Sequence, residues 1–246
     1  FLNLSPSTMR SVLVTGGNRG VGLGLVRELL KEPSIFIVIA TARNVETAKD
    51  LKAIQNPKLR IVACDVTDEN SIAATVKQVT AIVNDNGLDI LINNAGVYPS
   101  RDVDVTKAIA MRQFEVNAVG PLLVANKCHG LLKRAAELNG SAQVVNISSA
   151  GGSLSLALEE DWSPPTTYAM AKAALNMLTR KLCLEWKSDR IRATAFTPGW
   201  VRTDMGGPDA DQSVEDATVP LVARILALTE ENNGQFYRIT GAQIPW

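Results

Sequence analysis

Tyr168 and Lys172 stand four residues apart in the run TYAMAKAALNMLTRKLCLEW. The run has helical periodicity, so the two side chains share one face. An ammonium beside a phenol favours the phenolate and lowers the phenol from its ordinary value of about 10. A tyrosine tuned in this way can pass a proton to or from a substrate oxygen near neutral pH. Ser148 closes the apolar run AQVVNISS. Read as a strand, that run ends where open α/β sheets hold their ligands. The Ser148 hydroxyl can hold the same oxygen. Taken singly, each residue has a plainer reading: packing for the tyrosine, a solvated charge for the lysine, a turn for the serine. Their joint placement is what points to proton transfer.

A second constellation is TGGNRGVG, Thr15 to Gly22. The apolar run SVLVT leads in. VGLGLVRELLKE leads out, with Val21, Leu25 and Leu29 on one helical face. A helix N-terminus offers unpaired N–H groups and a positive dipole end, which suit a phosphate. Glycine lets the backbone turn sharply and lets a ligand come close. No Lys-Ser/Thr pair follows at P-loop spacing, which argues against a nucleoside triphosphate. The spacing departs from G-x-G-x-x-G, yet strand before and helix after favour a dinucleotide over a plain tight turn. Gly16, Asn18, Arg19, Gly20, Val21 and Gly22 form this cradle.

The next strand ends in TARN. An NAD site usually carries Asp or Glu there, on the ribose 2′-OH, whereas arginine accommodates a 2′-phosphate. Arg43 occupies that place, Glu46 falls later, and Arg19 can face the same phosphate. Two arginines and no carboxylate favour NADPH/NADP over NAD. The plainer alternative is a pair of solvated surface arginines.

These residues need a frame. Strands are expected at SVLVT, SIFIVIATAR, LRIVACDV, LDILINNAG, AQVVNISS, IRATAFTPG and GQFYRIT. Between them lie helical segments: NVETAKDLKAI, SIAATVKQVTAIVNDN, the region Phe114 to Leu138, the Tyr168 helix and TVPLVARILALT. Buried strands alternating with helices imply an α/β, doubly wound Rossmann-type parallel sheet of about seven strands, with helices on both faces. No linker or repeat interrupts the pattern, so residues 9–246 read as one domain. Residues 1–8 read as an N-terminal extension of unknown origin ahead of Met9.

Composition narrows the partners. Apolar residues make up 46% of the 246, enough for a core. The 25 basic and 25 acidic residues balance, so nothing suggests nucleic acid or an acidic membrane surface. Cys64, Cys128 and Cys183 are odd in number and far apart. They form neither a disulfide framework nor a zinc pattern, and they suit a reducing compartment such as the cytoplasm. The apolar run Ile35 to Ala40 is too short for a bilayer. FLNLSPST lacks the basic and apolar regions of a signal peptide. His129, the single histidine, has no ligand-spaced partner, so it reads as structural and no metal is expected.

TGGNRGVG, NNAG, the serine ending the fifth strand, YAMAK and PGWVRTDM occur in the order and spacing of the short-chain dehydrogenase/reductase family. The resemblance spans nearly the whole chain. NRGVGLGLV, PGWVRTDMGG and the ending from G-x-F to P-W look more narrowly like the sniffer-like and C-factor-like carbonyl reductases. The resemblance implies Tyr168 as general acid/base. It implies Lys172 as pKa tuner and nicotinamide-ribose binder, and Ser148 as carbonyl positioner. It adds Asn117, in FEVNAVG, as support of a water relay behind Lys172. It places Asp65 and Val66 at the adenine, and Asn93, Ala95 and Gly96 along the adenosine side. Pro198, Gly199, Val201 and Thr203 fall in the loop over the nicotinamide. The implied reaction is hydride transfer from NADPH to a small-molecule carbonyl, the hydride being the cofactor's own.

Three further expectations follow. The segment Ser149 to Thr167 is longer than in compact family members. Its Leu154, Leu156 and Trp162, with Trp200 and Met205, are expected to line an apolar pocket for small ketones, aldehydes or quinones. The acidic trio Glu159-Glu160-Asp161 either repels anions or is simply solvated. The helices around Leu122–Leu138 and Tyr168–Trp186 are those that family members pair across a two-fold axis, so a homodimer is expected. A dinucleotide sensor or scaffold without turnover is the alternative of another class, and the intact Ser148, Tyr168 and Lys172 set argues against it.

Overall fold

Seven strands form one wholly parallel sheet in the order β3-β2-β1-β4-β5-β6-β7. They are β1 (Arg10–Val14), β2 (Ile35–Ala42), β3 (Leu59–Ala63), β4 (Ile90–Asn93), β5 (Ala142–Ile147), β6 (Ile191–Thr197) and β7 (Phe236–Arg238). The computed structural model describes residues 10–99, 104–158 and 164–246. The N-terminal extension, Met9, the acidic trio and Trp162 lie outside the described residues.

Strand alternation divides the core into two layers. Val12 and Val14 of β1 face α1 (Gly20–Lys31) and α7 (Val214–Leu226), where Leu25, Leu29, Leu221 and Ile225 are fully buried. Leu13 faces the other side, with Ile72 and Val79 of α3 (Glu69–Val83) and Val124, Cys128 and Leu132 of α5 (Gly120–Asn139). Leu182 of α6 (Thr166–Glu185) joins this second layer. The strand order reverses between β1 and β4. A doubly wound sheet opens its ligand crevice outside the carboxyl ends of the strands at such a point.

Two helical expectations change. Residues 44–54 form only the four-residue α2 (Lys49–Lys52). The Asn44 carboxamide oxygen instead accepts from the backbone N–H of Glu46 and Thr47, at 2.9 and 3.3 Å, and folds the chain into a turn. The region from Phe114 is not one helix. α4 (Lys107–Phe114) passes through a π turn, Glu115–Val119, before α5 begins with Pro121 in its first turn. π turns insert one extra residue and frequently sit at functional sites.

The two helices expected to pair across a two-fold axis bury some of their apolar residues and expose others. Leu132 and Leu182 are buried, while Leu122 stays exposed. Met170, Met177 and Leu184 of α6 are exposed as well. His129 makes a 2.9 Å contact with the Asp189 carboxylate, which Lys133 also meets at 2.8 Å, and its ring lies against Trp186. Among the described residues no His, Cys, Asp or Glu cluster could hold a metal, and no helix is long and apolar enough to cross a membrane.

Candidate active site

A cavity of about 690 Å³ runs along the carboxyl ends of the strands. One end is bounded by Arg43, Asp65 and Arg112, the middle by the glycine turn, and the other end by Tyr168 and Lys172.

The glycine turn is built around Thr15. Its hydroxyl accepts from the backbone N–H of Asn94 and of Ala95, each at 3.0 Å, so β1 and β4 are pinned where they diverge. The Asn94 amide donates to the Thr15 and Gly16 carbonyls at 2.9 and 3.1 Å. Gly16 has φ +65, a left-handed conformation that costs an L side chain energy. A Cβ on Gly22 would collide with the Gly16 carbonyl and the Asn94 amide. The turn therefore needs glycine at both places. α1 then starts at Gly20 with no side-chain cap and no acidic residue in its first turn. Its first N–H groups and the positive end of its dipole are left for an anion.

At the far end, burial alone would raise the Asp65 carboxyl. Hydrogen bonds from Thr67 and the charges of Arg43 and Arg112 outweigh it and hold the group below its ordinary range. Asp68 caps α3. Arg19 is exposed and meets Asp204 at 3.1 Å across the cavity mouth.

At the chemical end, α6 presents Tyr168 and Lys172, both buried. The Lys172 Nζ donates to the Ile147 carbonyl at 2.8 Å, and burial lowers the ammonium to about 8. Burial pushes the Tyr168 phenol well above its ordinary 10.0, and only the Ser149 hydroxyl pulls the other way. The expectation that Lys172 lowers the phenol is thus overturned. Both groups are buried, and desolvation penalises either charge. Tyr168 stays protonated at neutral pH, the state required of a proton donor. Tyr98 packs beside it, ring centroids 4.7 Å apart.

The serine also changes. The Ser148 hydroxyl turns away and donates to the Asn176 carboxamide oxygen at 2.6 Å. Ser149, the next residue, reaches the phenol. Ser148 lines the cavity as expected, but with its hydroxyl engaged by Asn176 the neighbouring Ser149 becomes the second candidate for holding a carbonyl oxygen. β5 stops at Ile147, and the short turn Ala150–Gly152 that follows swings Ser149 toward α6.

Asn117 is fully buried in the π turn. Its amide donates to the Val97 carbonyl and the Gln113 side chain, and its oxygen accepts from the Val97 N–H, all at 2.9 Å. It braces the segment after β4 beside Lys172, and it lines the cavity with Val66, Ala95, Gly96, Pro198 and Thr203. Asn18, Gly20 and Val21 line it too. Three expected contacts lie elsewhere. Asn93 is buried inside the sheet, donating to Asn146 at 2.9 Å. Gly199 packs on the Gln212 side chain, and Val201 pairs with Gln212. Asn94, Arg112 and Ser149 were missed. NNAG and NISS each offer two adjacent candidates, and a one-residue choice cannot be made without the turn geometry.

Of the expected apolar lining, Met205 borders the cavity. Leu154 is exposed, and Leu156 packs against the small cluster of Ala150, Phe236 and Ile244. The Trp200 indole donates to the Gly206 carbonyl at 2.7 Å.

A dinucleotide-sized crevice at the switch point, a glycine turn opening an uncapped helix, and a buried Tyr-Lys pair beyond it define a nucleotide-dependent oxidoreductase. The short-chain dehydrogenase family model matches residues 10–213, and the chain belongs to that family. The short-chain dehydrogenase srdF of Neurospora crassa is 33% identical over 96% of this chain and 97% of its own length. C-signal of Myxococcus xanthus is 35% identical over 65% of this chain and 93% of its own. Among solved structures, the carbonyl reductase Sniffer of D. melanogaster superposes with a TM-score of 0.90 at 35% identity, covering 97% of this chain and all 100% of its own. An NADPH-bound carbonyl reductase from chicken fatty liver gives 0.91 at 35% identity, covering 97% and 99%.

Proposed function

We propose that this chain is an NADPH-dependent carbonyl reductase acting on small, uncharged, apolar ketones, aldehydes or quinones. The observation that carries the reading is Tyr168: a buried phenol with the Ser149 hydroxyl acting on it and Lys172 beside it, at one end of a dinucleotide-sized cavity. The uncapped N-terminus of α1 and the close packing of Gly22 on Gly16 fit a pyrophosphate. Arg43, at the end of β2, fits a 2′-phosphate. A bound nicotinamide would supply the hydride.

The chain's own residues do the rest. Ser149 and Tyr168 hold the carbonyl oxygen. Tyr168 gives its proton to that oxygen as negative charge develops there. Lys172, fixed by the Ile147 carbonyl, supplies a positive charge nearby. Asn117 keeps the wall behind Lys172 in place through Val97. Val97, Ile147 and Met205 form apolar wall, which favours neutral substrates. The nearby cation Arg202 donates to the Ala210 carbonyl.

Three free cysteines, two of them buried, favour a reducing compartment such as the cytoplasm. The exposed apolar stripe of α6 supports a homodimer. The test is NADPH oxidation, followed by its absorbance, with a panel of aromatic diketones, quinones, aldehydes and matched carboxylated analogues. Reduction of the neutral compounds with NADPH preferred over NADH is expected. Preference for the carboxylated analogues would refute the substrate class.

A further inference from the structure

We propose that Asn176 is a positioning residue that sets where the Ser149 hydroxyl sits relative to Tyr168, with Ser148 as its partner. The inference rests on the reading of Tyr168 and Ser149 as the proton-transfer pair. Asn176 lies one turn beyond Lys172 and two beyond Tyr168, so all three share a face of α6. It is buried.

Its carboxamide is used at both ends. The oxygen accepts from Ser148 Oγ at 2.6 Å, and the amide donates to the Gly152 carbonyl at 2.9 Å. Ser148 and Gly152 flank the residues that matter. Between them lies Ser149, whose carbonyl accepts from the Gly152 N–H at 2.9 Å and whose hydroxyl accepts from the Gly151 N–H at 3.2 Å. One side chain on α6 thus clamps both ends of the turn carrying Ser149. The turn also lies directly against the helix, since a Cβ on Gly152 would approach Lys172 and Ala173 within 2.7 to 2.9 Å. Ser148 is held from the strand side as well, its N–H donating to the Phe196 carbonyl at 2.7 Å.

The consequence is geometric. The distance between the two hydroxyls is fixed by a strand end and a helix that have no covalent link nearby. Asn176 is the polar tie across that gap at the serine itself, and the Lys172 bond to Ile147 is the tie one residue earlier. Losing the Asn176 tie lets the turn shift while Tyr168 and Lys172 stay on their helix. A misplacement near 1 Å costs up to about a hundredfold in rate. The Ser148 hydroxyl, though next to the reacting serine in sequence, acts through Asn176 and touches no reacting atom.

The experiment uses Ser148→Ala, which removes one oxygen, together with Asn176→Ala, Ser149→Ala and Ser148→Thr. Two readouts are taken. The first is the NMR resonance of isotopically labelled Tyr168 Cζ, which reports the polar surroundings of the phenol and needs no turnover. The second is kcat with phenanthrenequinone and saturating NADPH. Ser148→Ala and Asn176→Ala should displace the resonance in the direction Ser149→Ala does. Each should lower kcat by about ten- to a hundredfold with NADPH affinity unchanged. Ser148→Thr, which keeps the hydroxyl, should restore both. An undisturbed resonance, or a lower Tm with unchanged kcat, overturns the proposal and leaves Asn176 a packing residue. Displaced resonances in the two variants, with a wild-type protein that reduces no carbonyl, support the positioning role and refute the reductase reading instead.

Discussion

Lys172 Nζ lies 5.6 Å from the centroid of the Tyr168 ring, and both residues are buried. The pair is usually imagined as a cation stabilising a phenolate. Here burial acts on each partner in the sense that removes its charge, raising the phenol and lowering the ammonium. That favours the proton on Tyr168, which is where carbonyl reduction needs it at the outset. The first prediction follows. Tyr168→Phe keeps the ring against Tyr98 but removes the proton, so turnover should fall by roughly 10²–10⁴. NADPH affinity, measured by fluorescence titration, should hold. Near-normal reduction by the variant would exclude the phenol as donor.

The Lys172 burial has a stability cost with a definite pH window. Its value in the folded chain, about 8, is below its ordinary 10.5. Between these values the unfolded chain binds more protons, so native stability should rise with pH there. Below pH 8 the cost of the buried charge is fully present. Replacing the group by methionine removes that cost, about 3 kcal/mol, and forfeits the bond to Ile147, about 1 kcal/mol. Lys172→Met should therefore be about 2 kcal/mol more stable than wild type at neutral pH, with the advantage gone by about pH 10.5. Urea unfolding of both proteins across that range checks it. A variant less stable at neutral pH would mean that the ammonium is better solvated than its burial implies.

How far the sequence foretells this site depends on the length scale. The apolar strands and the periodic helices were readable because sheet burial on two faces selects long runs such as SIFIVIATAR. The placement of Tyr168, Lys172 and Arg43 followed, since each sits at a fixed offset from an element. Choices between adjacent residues did not. Ser148 and Ser149, or Asn93 and Asn94, differ by one peptide unit at a strand end, where the two-residue alternation stops and turn geometry takes over. The π turn holding Asn117 leaves no periodic trace, because it lasts five residues. The desolvation of Tyr168 is a property of the packed core, invisible to a reading that sees only its nearest charged neighbour along the helix.

Arg43 tests cofactor choice. It is exposed at the Asp65 end of the cavity, whereas Arg19 is already engaged by Asp204. A charge-assisted contact is worth roughly 1.5–3 kcal/mol, less when exposed. Arg43→Asp should then weaken NADPH by about one decade and leave NADH nearly unchanged. The Kd values for both cofactors decide it. Wild-type protein that binds the two equally would remove the basis for a 2′-phosphate contact.

The last prediction concerns assembly. Met170, Met177 and Leu184 recur every seven residues on α6, close enough to two full turns to form one stripe. They are 51%, 62% and 67% exposed, too much apolar surface for a finished helix face. Leu122 of α5 adds to the exposed apolar surface. Ala173 and Ala174, half-buried beside the stripe, are small enough to let another helix come close. A two-fold axis across this surface lets the stripe pair with its own copy, which a single patch can do in no other closed way. A stable interface needs on the order of 800 Å² per partner, which two adjacent helices can supply. Light scattering at micromolar concentration should therefore give the mass of a dimer. Met177→Glu places two like charges near the axis and should give monomers with the sheet and the NADPH site intact. A wild-type monomer, or a Met177→Glu protein that remains dimeric, would move the interface away from α6.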